Sequence, residues 1–287
     1  MKRRTFLHTA SLATSSFFIP SSLNTAKKLG IALVGLGNYS TRQLAPALLQ
    51  TQNCYLAAIV TGTPEKAEKW SKEYNIPKKN IYNYQNFDAI KDNPDIDIVY
   101  IVLPNFMHAE YTIRAAQAGK HVICEKPMAM NVKEAEQMIQ ACKKAQVKLA
   151  IGYRLYYEPH HLEMRRLATE KVYGQVKMLS SALGYSMADP QSWRLHKDKG
   201  GGGAIMDLGV YAIQGIRRTL NELPLSITAQ GYNTDKNLFK GIYEMMHFQM
   251  TFPSGAVSSS ETTYSSFMDR LYATTGSEWA WSEWQFL

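Results

Sequence analysis

Between Leu29 and Tyr153 the chain places apolar, β-branched runs at intervals, with segments of helical period between them. LGIALVG, YLAAIV, DIDIVYIVLP, KHVICEKP and VKLAIGY are the runs, and each has the length and residue choice of a strand. Strands that alternate with helices predict a doubly wound parallel sheet, an α/β Rossmann-like domain over residues 27–153. Helix signals fall where this requires them. Thr63 followed by Pro64 suits an N-cap and first turn, and Asn131 with Glu134 three residues later resembles a capping box. Past residue 154 the pattern becomes alternating. GQVKMLSSAL, LSITAQGY, MMHFQMTF and GAVSSSETTY predict a largely antiparallel open sheet with one covered face, an α+β domain over 154–287.

The first 26 residues break this rhythm. They carry a basic start, a weakly apolar middle rich in Ser, Thr and Ala, and a polar end, which outlines an export signal. RRTFL, with Arg3 and Arg4 before a hydroxyl residue and two apolar ones, resembles the twin-arginine signal and predicts a periplasmic protein. A disordered basic arm is the other reading of the same residues. The apolar run is too short and too polar to span a bilayer.

Charge and cysteines then narrow the function classes. The formal net charge is +8 over 287 residues, and Lys2, Arg3 and Arg4 supply three of those units. No lysine or arginine run marks the body of the chain, so nothing predicts a nucleic-acid partner. Three widely spaced cysteines, Cys54, Cys124 and Cys142, imply neither a disulfide framework nor a zinc site. His160 and His161 lack a carboxylate or cysteine pattern around them, and no metal is assigned.

Chemistry concentrates at the ends of the predicted strands. Gly35 and Gly37 in VGLGNYS are the first two glycines of a dinucleotide fingerprint, and Ser40 stands at the third. The first glycine permits a tight turn, the second lets backbone approach a pyrophosphate, and the following helix start offers free N–H groups. The second strand ends in Thr61 and Gly62 rather than in an acid, with Lys66 close behind. A hydroxyl, open backbone and a cation suit a 2′-phosphate, which favours NADP, with NAD as the alternative. LPNFMH and CEKP also lie at carboxyl ends of strands, where open α/β sheets bind ligands. Four glycines at 200–203 precede a helix that carries Asp207 and Tyr211 four residues apart. On spacing alone, such a pair is more often a cap or a surface pair than a catalytic one.

GLGNYS, LPNFMHAEY, EKPMA, GYR, WRL and GGGGAIMDLGVY occur in this order from Leu29 onward. Together they resemble the glucose-fructose oxidoreductase and inositol dehydrogenase (Gfo/Idh/MocA) family. Tyr211 stands where most members carry His, and with GYR, WRL and the basic start this is most similar to the glucose-fructose oxidoreductase branch. The resemblance implies an NADP-dependent oxidoreductase of sugar CH–OH groups with a tightly held cofactor. A catalytically impaired or regulatory dinucleotide-binding relative is the alternative. It also implies roles for single residues. Lys126, Asp207 and Tyr211 form the catalytic group, with Tyr211 as acid/base, Lys126 lowering its pKa, and Asp207 holding the lysine. Gly35, Leu36, Gly37, Asn38 and Tyr39 fall at the pyrophosphate turn, and Thr61, Gly62 and Lys66 at the ribose phosphate. Leu103, Pro104, Asn105 and His108 follow, then Glu125, Lys126, Arg154, Trp193 and Arg194 on the nicotinamide side. In the family the second sheet makes the subunit interface, so a homo-oligomer is expected. The chain departs from the family by stopping at GSEWAWSEWQFL, where further strands and a helix are expected, leaving an incomplete second domain with an apolar tail.

Overall fold

A computed structural model describes residues 27–187 and 189–275 and the backbone of a last strand at 282–285. The export-signal reading of residues 1–26 and the apolar-tail reading of the final aromatic side chains lie outside the described residues.

Chain order gives β1 (Leu29–Val34), α1 (Ala45–Gln50), β2 (Cys54–Val60), α2 (Pro64–Glu73), β3 (Ile81–Tyr82), β4 (Ile98–Ile101), α3 (His108–Gln117), β5 (His121–Glu125), α4 (Val132–Lys144) and β6 (Leu149–Gly152). The six strands form one parallel sheet in the order β3-β2-β1-β4-β5-β6. Order reverses between β1 and β4, so their carboxyl ends open the crevice that a doubly wound sheet offers to ligands. Alternate residues feed two cores. Ala32, Val34, Ala58, Val60, Val99 and Ile101 pack on the α3–α4 side, while Ile31, Leu33 and Ile59 pack with Trp70 on the other. The Asn131 cap forms as read: its side chain accepts the Glu134 N–H at 3.0 Å, and Glu134 reaches back to the Met130 N–H at 3.1 Å.

The second half runs α5 (Pro159–Glu170), β7 (Val176–Gly184), α6 (Val210–Leu220), β8 (Ser226–Tyr232), β9 (Met245–Thr251), β10 (Val257–Thr263), β11 (Met268–Thr275) and β12 (Ser282–Gln285). Its sheet order is β12-β11-β7-β10-β9-β8. The sheet is mixed: β7 and β10 pair in parallel, and every other pair is antiparallel. The exception follows from connectivity, because α6 carries the chain across the sheet before the β8-β9-β10 meander returns it beside β7. One face is covered, where Met164, Ala212 and Ile216 of the two helices meet Leu179, Phe248, Met250 and Leu271. The edge strand β8 stays exposed along nearly its whole length.

The halves meet over the crevice. The buried Asn105 side chain donates from Nδ2 to the Gly200 carbonyl at 2.8 Å, and Lys126 reaches Asp207 at 2.9 Å.

Candidate active site

The turn after β1 is shaped by its glycines. Gly35 has φ +92°, and a Cβ there would overlap the Val102 carbonyl, so other residues are excluded twice over. Ser40, at the third fingerprint position, is fully buried, and its hydroxyl donates to the Gly35 carbonyl at 2.6 Å, closing the turn. The helix that follows opens with a π turn at Ser40–Leu44, a feature frequent at functional sites. A Cβ on Gly37 would meet no protein atom within 4 Å. That open space beside backbone N–H groups fits a pyrophosphate.

At the end of β2, Thr61 is buried and accepts the Thr63 N–H at 3.2 Å through its hydroxyl. Thr63 is the N-cap residue of α2 and Pro64 opens the helix, as the sequence reading has it, though the Thr63 side chain makes no capping hydrogen bond. Lys66 stands exposed in the first turn of α2, and no carboxylate occupies the strand end.

A cleft of about 840 Å³ gathers almost every residue singled out by sequence. Gly35, Leu36, Gly37, Asn38, Tyr39, Thr61, Gly62, Lys66, Leu103, Pro104, Asn105, Glu125, Lys126, Arg154, Trp193, Arg194, Asp207 and Tyr211 all line it. Gln43, Thr63, Tyr84 and Val102 join them without having been foreseen. His108 is not in the cleft. It is fully buried behind it, with ring nitrogens 2.7 Å from the Pro127 carbonyl and 2.8 Å from the Leu103 carbonyl. The ring thus lies between the loop after β4 and the loop after β5; burial lowers its pKa, and the neutral ring donates to one of the two carbonyls at a time, according to its tautomer.

Lys126 follows β5 directly, where the sheet ends and the crevice begins. Its Nζ donates to the Asp207 carboxylate at 2.9 Å and to the Asp207 carbonyl at 2.8 Å. The same ammonium lies 4.6 Å from the centroid of the Tyr211 ring. Asp207 is buried, and its second oxygen takes Tyr185 Oη at 2.9 Å, Arg194 Nε at 3.0 Å and Tyr264 Oη at 3.3 Å. Burial by itself raises a carboxyl pKa, but Lys126, Arg194 and these hydrogen bonds overcome it and hold Asp207 at about 2. Asp207 sits in a second π turn, Ile205–Gly209, ahead of α6. Regular α spacing therefore does not relate Asp207 to Tyr211. Both face Lys126 instead.

The expected effect of lysine on tyrosine is corrected by this geometry. Lys126 sits over the face of the Tyr211 ring, a cation–π position. Burial first, and the Glu125 charge second, push the phenol pKa above its ordinary value. Glu125 is itself buried and accepts Tyr100 Oη at 2.7 Å, with its pKa raised by burial. Gly152 makes room for it, since a Cβ there would lie 2.5 Å from Glu125 Oε1 and 3.0 Å from Tyr100 Oη. Tyr39, next to the same carboxylate, is pushed up to about 12 by burial and by Glu125. Tyr153 meets the Tyr211 ring edge-on, with centroids 6.0 Å apart. Tyr100, Tyr185 and Tyr264 were not legible beforehand, and Tyr153 was marked only as the middle of GYR, with no role. Only folding brings their hydroxyls or rings here.

A second hollow of about 1010 Å³ shares Arg154 and Tyr211 with the cleft. Its far wall comes from β7 and β11 through Leu183, Gly184, Met268 and Asp269, with Phe267 at the lip, 83% exposed. Tyr211 therefore stands between a crevice that fits a dinucleotide and a space large enough for a small polar molecule.

A doubly wound sheet with a glycine turn at its switch point, and a lysine, carboxylate and phenol facing it, define a dinucleotide-binding α/β protein. The profile described as "Oxidoreductase family, NAD-binding Rossmann fold" matches residues 29–153, and the Gfo/Idh/MocA C-terminal domain matches 161–278. The chain belongs to the Gfo/Idh/MocA oxidoreductase family. It is similar to the structure of an aldose-aldose oxidoreductase from Caulobacter crescentus complexed with glycerol: TM-score 0.85, 41% identity, 87% of this chain and 75% of that one. It is 27% identical over 258 residues to D-xylose 1-dehydrogenase [NADP(+)] of Haloarcula marismortui, covering 88% of this chain and 71% of the relative. Trans-1,2-dihydrobenzene-1,2-diol dehydrogenase of Xenopus laevis is 32% identical over 178 residues, which cover 62% of this chain and 52% of the relative's length.

Proposed function

We propose that the protein is an NADP-dependent oxidoreductase of aldose CH–OH groups that keeps its cofactor tightly bound. The convergence of Lys126, Asp207 and Tyr211 on the wall between the two hollows carries this reading. A nicotinamide dinucleotide in the cleft supplies the hydride acceptor or donor. Asp207 occupies two of the three Lys126 N–H groups, leaving one to polarise or stabilise the reacting oxygen. Tyr211 exchanges the proton at that oxygen, donating it as the phenol in the carbonyl-reducing direction and accepting it as the phenolate in aldose oxidation, which its raised pKa makes faster as pH rises. Tyr185, Tyr264 and Arg194 hold Asp207 still.

Thr61, Gly62 and Lys66, with no acid at the end of β2, favour NADP over NAD. The names of the aldose-aldose oxidoreductase and the NADP-linked xylose dehydrogenase support a sugar substrate. The intact catalytic trio favours the enzyme reading over a regulatory dinucleotide-binding relative. We place the domain joint near residue 154, and assign the RRTFL start to twin-arginine export and the periplasm. The open face of the second sheet is assigned to a homo-oligomer interface. Export in the folded state accords with a cofactor carried inside the protein.

Purification without added nucleotide, followed by absorbance in the reduced-nicotinamide band as aldoses are added one at a time, tests the proposal. The expected outcome is a co-purifying nucleotide that one or more aldoses reduce. An empty protein that NADP does not reconstitute for any aldose would sink it.

A further inference from the structure

Away from the cleft, three arginines gather around a hollow whose lining carries a single carboxylate, Glu222. Gln214, Arg217 and Arg218 of α6, with Asn221 as its C-cap, stand at i, i+3, i+4 and i+7, one stripe of the helix. α5 packs against α6 and brings Arg165 to the same place, and Tyr156 adds another wall around a hollow of about 350 Å³. Arg218 lies seven residues from Tyr211, about 10 Å along the helix, and shares no lining residue with the dinucleotide cleft.

How the guanidiniums are used distinguishes this group from a solvated basic face. Arg166, the neighbour of Arg165, pairs with Glu163 at 2.7 Å and Glu170 at 2.5 Å. Among the described residues, no ion pair involves Arg165, Arg217 or Arg218. The Arg218 guanidinium lies 3.1 Å from the centroid of the Tyr156 ring, and its Nε and Nη1 are shielded from solvent without a hydrogen-bond partner. Burial, and to a lesser degree the Arg165 charge, lowers its pKa. Glu222 also lines the hollow, but its Oε2 is engaged by the Ser254 N–H at 3.1 Å. The C-terminal end of α6 offsets part of the mutual repulsion through the helix dipole. The Tyr156 hydroxyl serves the Arg218 guanidinium in part, and an acceptor for Arg218 Nε and Nη1 is what the arrangement lacks.

We infer that this hollow binds a phosphate-type oxyanion, at a site separate from the dinucleotide cleft. Guanidinium forks match a tetrahedral oxyanion through paired, charge-assisted hydrogen bonds, and Gln214 and Asn221 add neutral donors beside them.

Calorimetric titration of inorganic phosphate into the whole protein, at constant ionic strength set with chloride, tests the site. One saturable binding event is expected. Arg165→Gln and Arg218→Gln each weaken it about tenfold or more, the factor that one charge-assisted hydrogen bond supplies, whereas Arg166→Gln leaves it unchanged. Lys66→Gln, at the dinucleotide cleft, also leaves it unchanged, which separates this site from phosphate bound there. Circular dichroism confirms that each variant is folded, and Arg165→Gln carries the test alone if Arg218→Gln is not. No saturable heat over chloride, equal loss in Arg166→Gln, or loss in Lys66→Gln with none in Arg165→Gln would overturn the inference.

Discussion

Asp207 accepts hydrogen bonds from four side chains, and that accounts for both its charge and its placing of Lys126. Its folded pKa of about 2 lies below the ordinary 3.8. The sign follows: a depressed carboxyl stabilises the fold fully above its unfolded pKa and ceases to as pH falls through about 2. Acid titration of stability should therefore show a loss of about 2 kcal/mol between pH 4 and pH 2 that Asp207→Asn lacks. Lys126→Met leaves Arg194, Tyr185 and Tyr264 on Asp207, so the protein should fold and still bind dinucleotide, measured by fluorescence titration. Its rate of aldose oxidation should fall by about 10²–10⁴. Loss of dinucleotide binding together with activity would make Lys126 a structural residue. Sequence pointed to Lys126, Asp207 and Tyr211 through a family resemblance. The contact of the ammonium with the ring face rather than with the hydroxyl was not legible, since it depends on χ angles set by packing.

At the scale of elements, strand ends place the chemistry and local signals place the strand ends. The apolar runs, the Gly35 turn and the Asn131–Glu134 cap were all legible because each rests on residues close in sequence. The parallel pairing of β7 with β10 was not, because register between strands some eighty residues apart is decided by α6 and the meander that follows it. The π turns at Ser40–Leu44 and Ile205–Gly209 were invisible for a similar reason: no local residue signal specifies the extra residue per turn. Gly152 ends β6 as the first residue of GYR, and only the structure shows that its missing Cβ is the room that Glu125 occupies. Gly152→Ala should therefore lower stability by about 1–3 kcal/mol, seen as a lower Tm, while Gly37→Ala, facing open cleft, should leave Tm nearly unchanged and weaken dinucleotide binding. Equal effects of the two on Tm would contradict this division.

For the molecule as a whole, the cleft is made by two halves that touch through few direct bonds, among them Asn105 to Gly200 and Lys126 to Asp207. A ligand that contacts both halves should stabilise the assembly by mass action. For protein first stripped of its nucleotide, saturating NADP at about 100 times its Kd corresponds to about 3 kcal/mol and a clear rise in Tm. NAD at the same concentration should raise Tm less, and Lys66→Ala should narrow the difference between the two. An identical response to both nucleotides in the unaltered protein would remove the case for NADP. The sequence by itself determined the doubly wound sheet and the glycine turn after β1, because periodicity and turn chemistry are local properties, and it marked the central lysine only through family resemblance. Only the tertiary structure decided that His108 lies between two loops instead of touching the cleft, that four tyrosines gather around Glu125, Asp207 and Tyr211, and that three arginines share one hollow. These arrangements join residues distant in the chain, and burial and charge act on them only after the chain has closed.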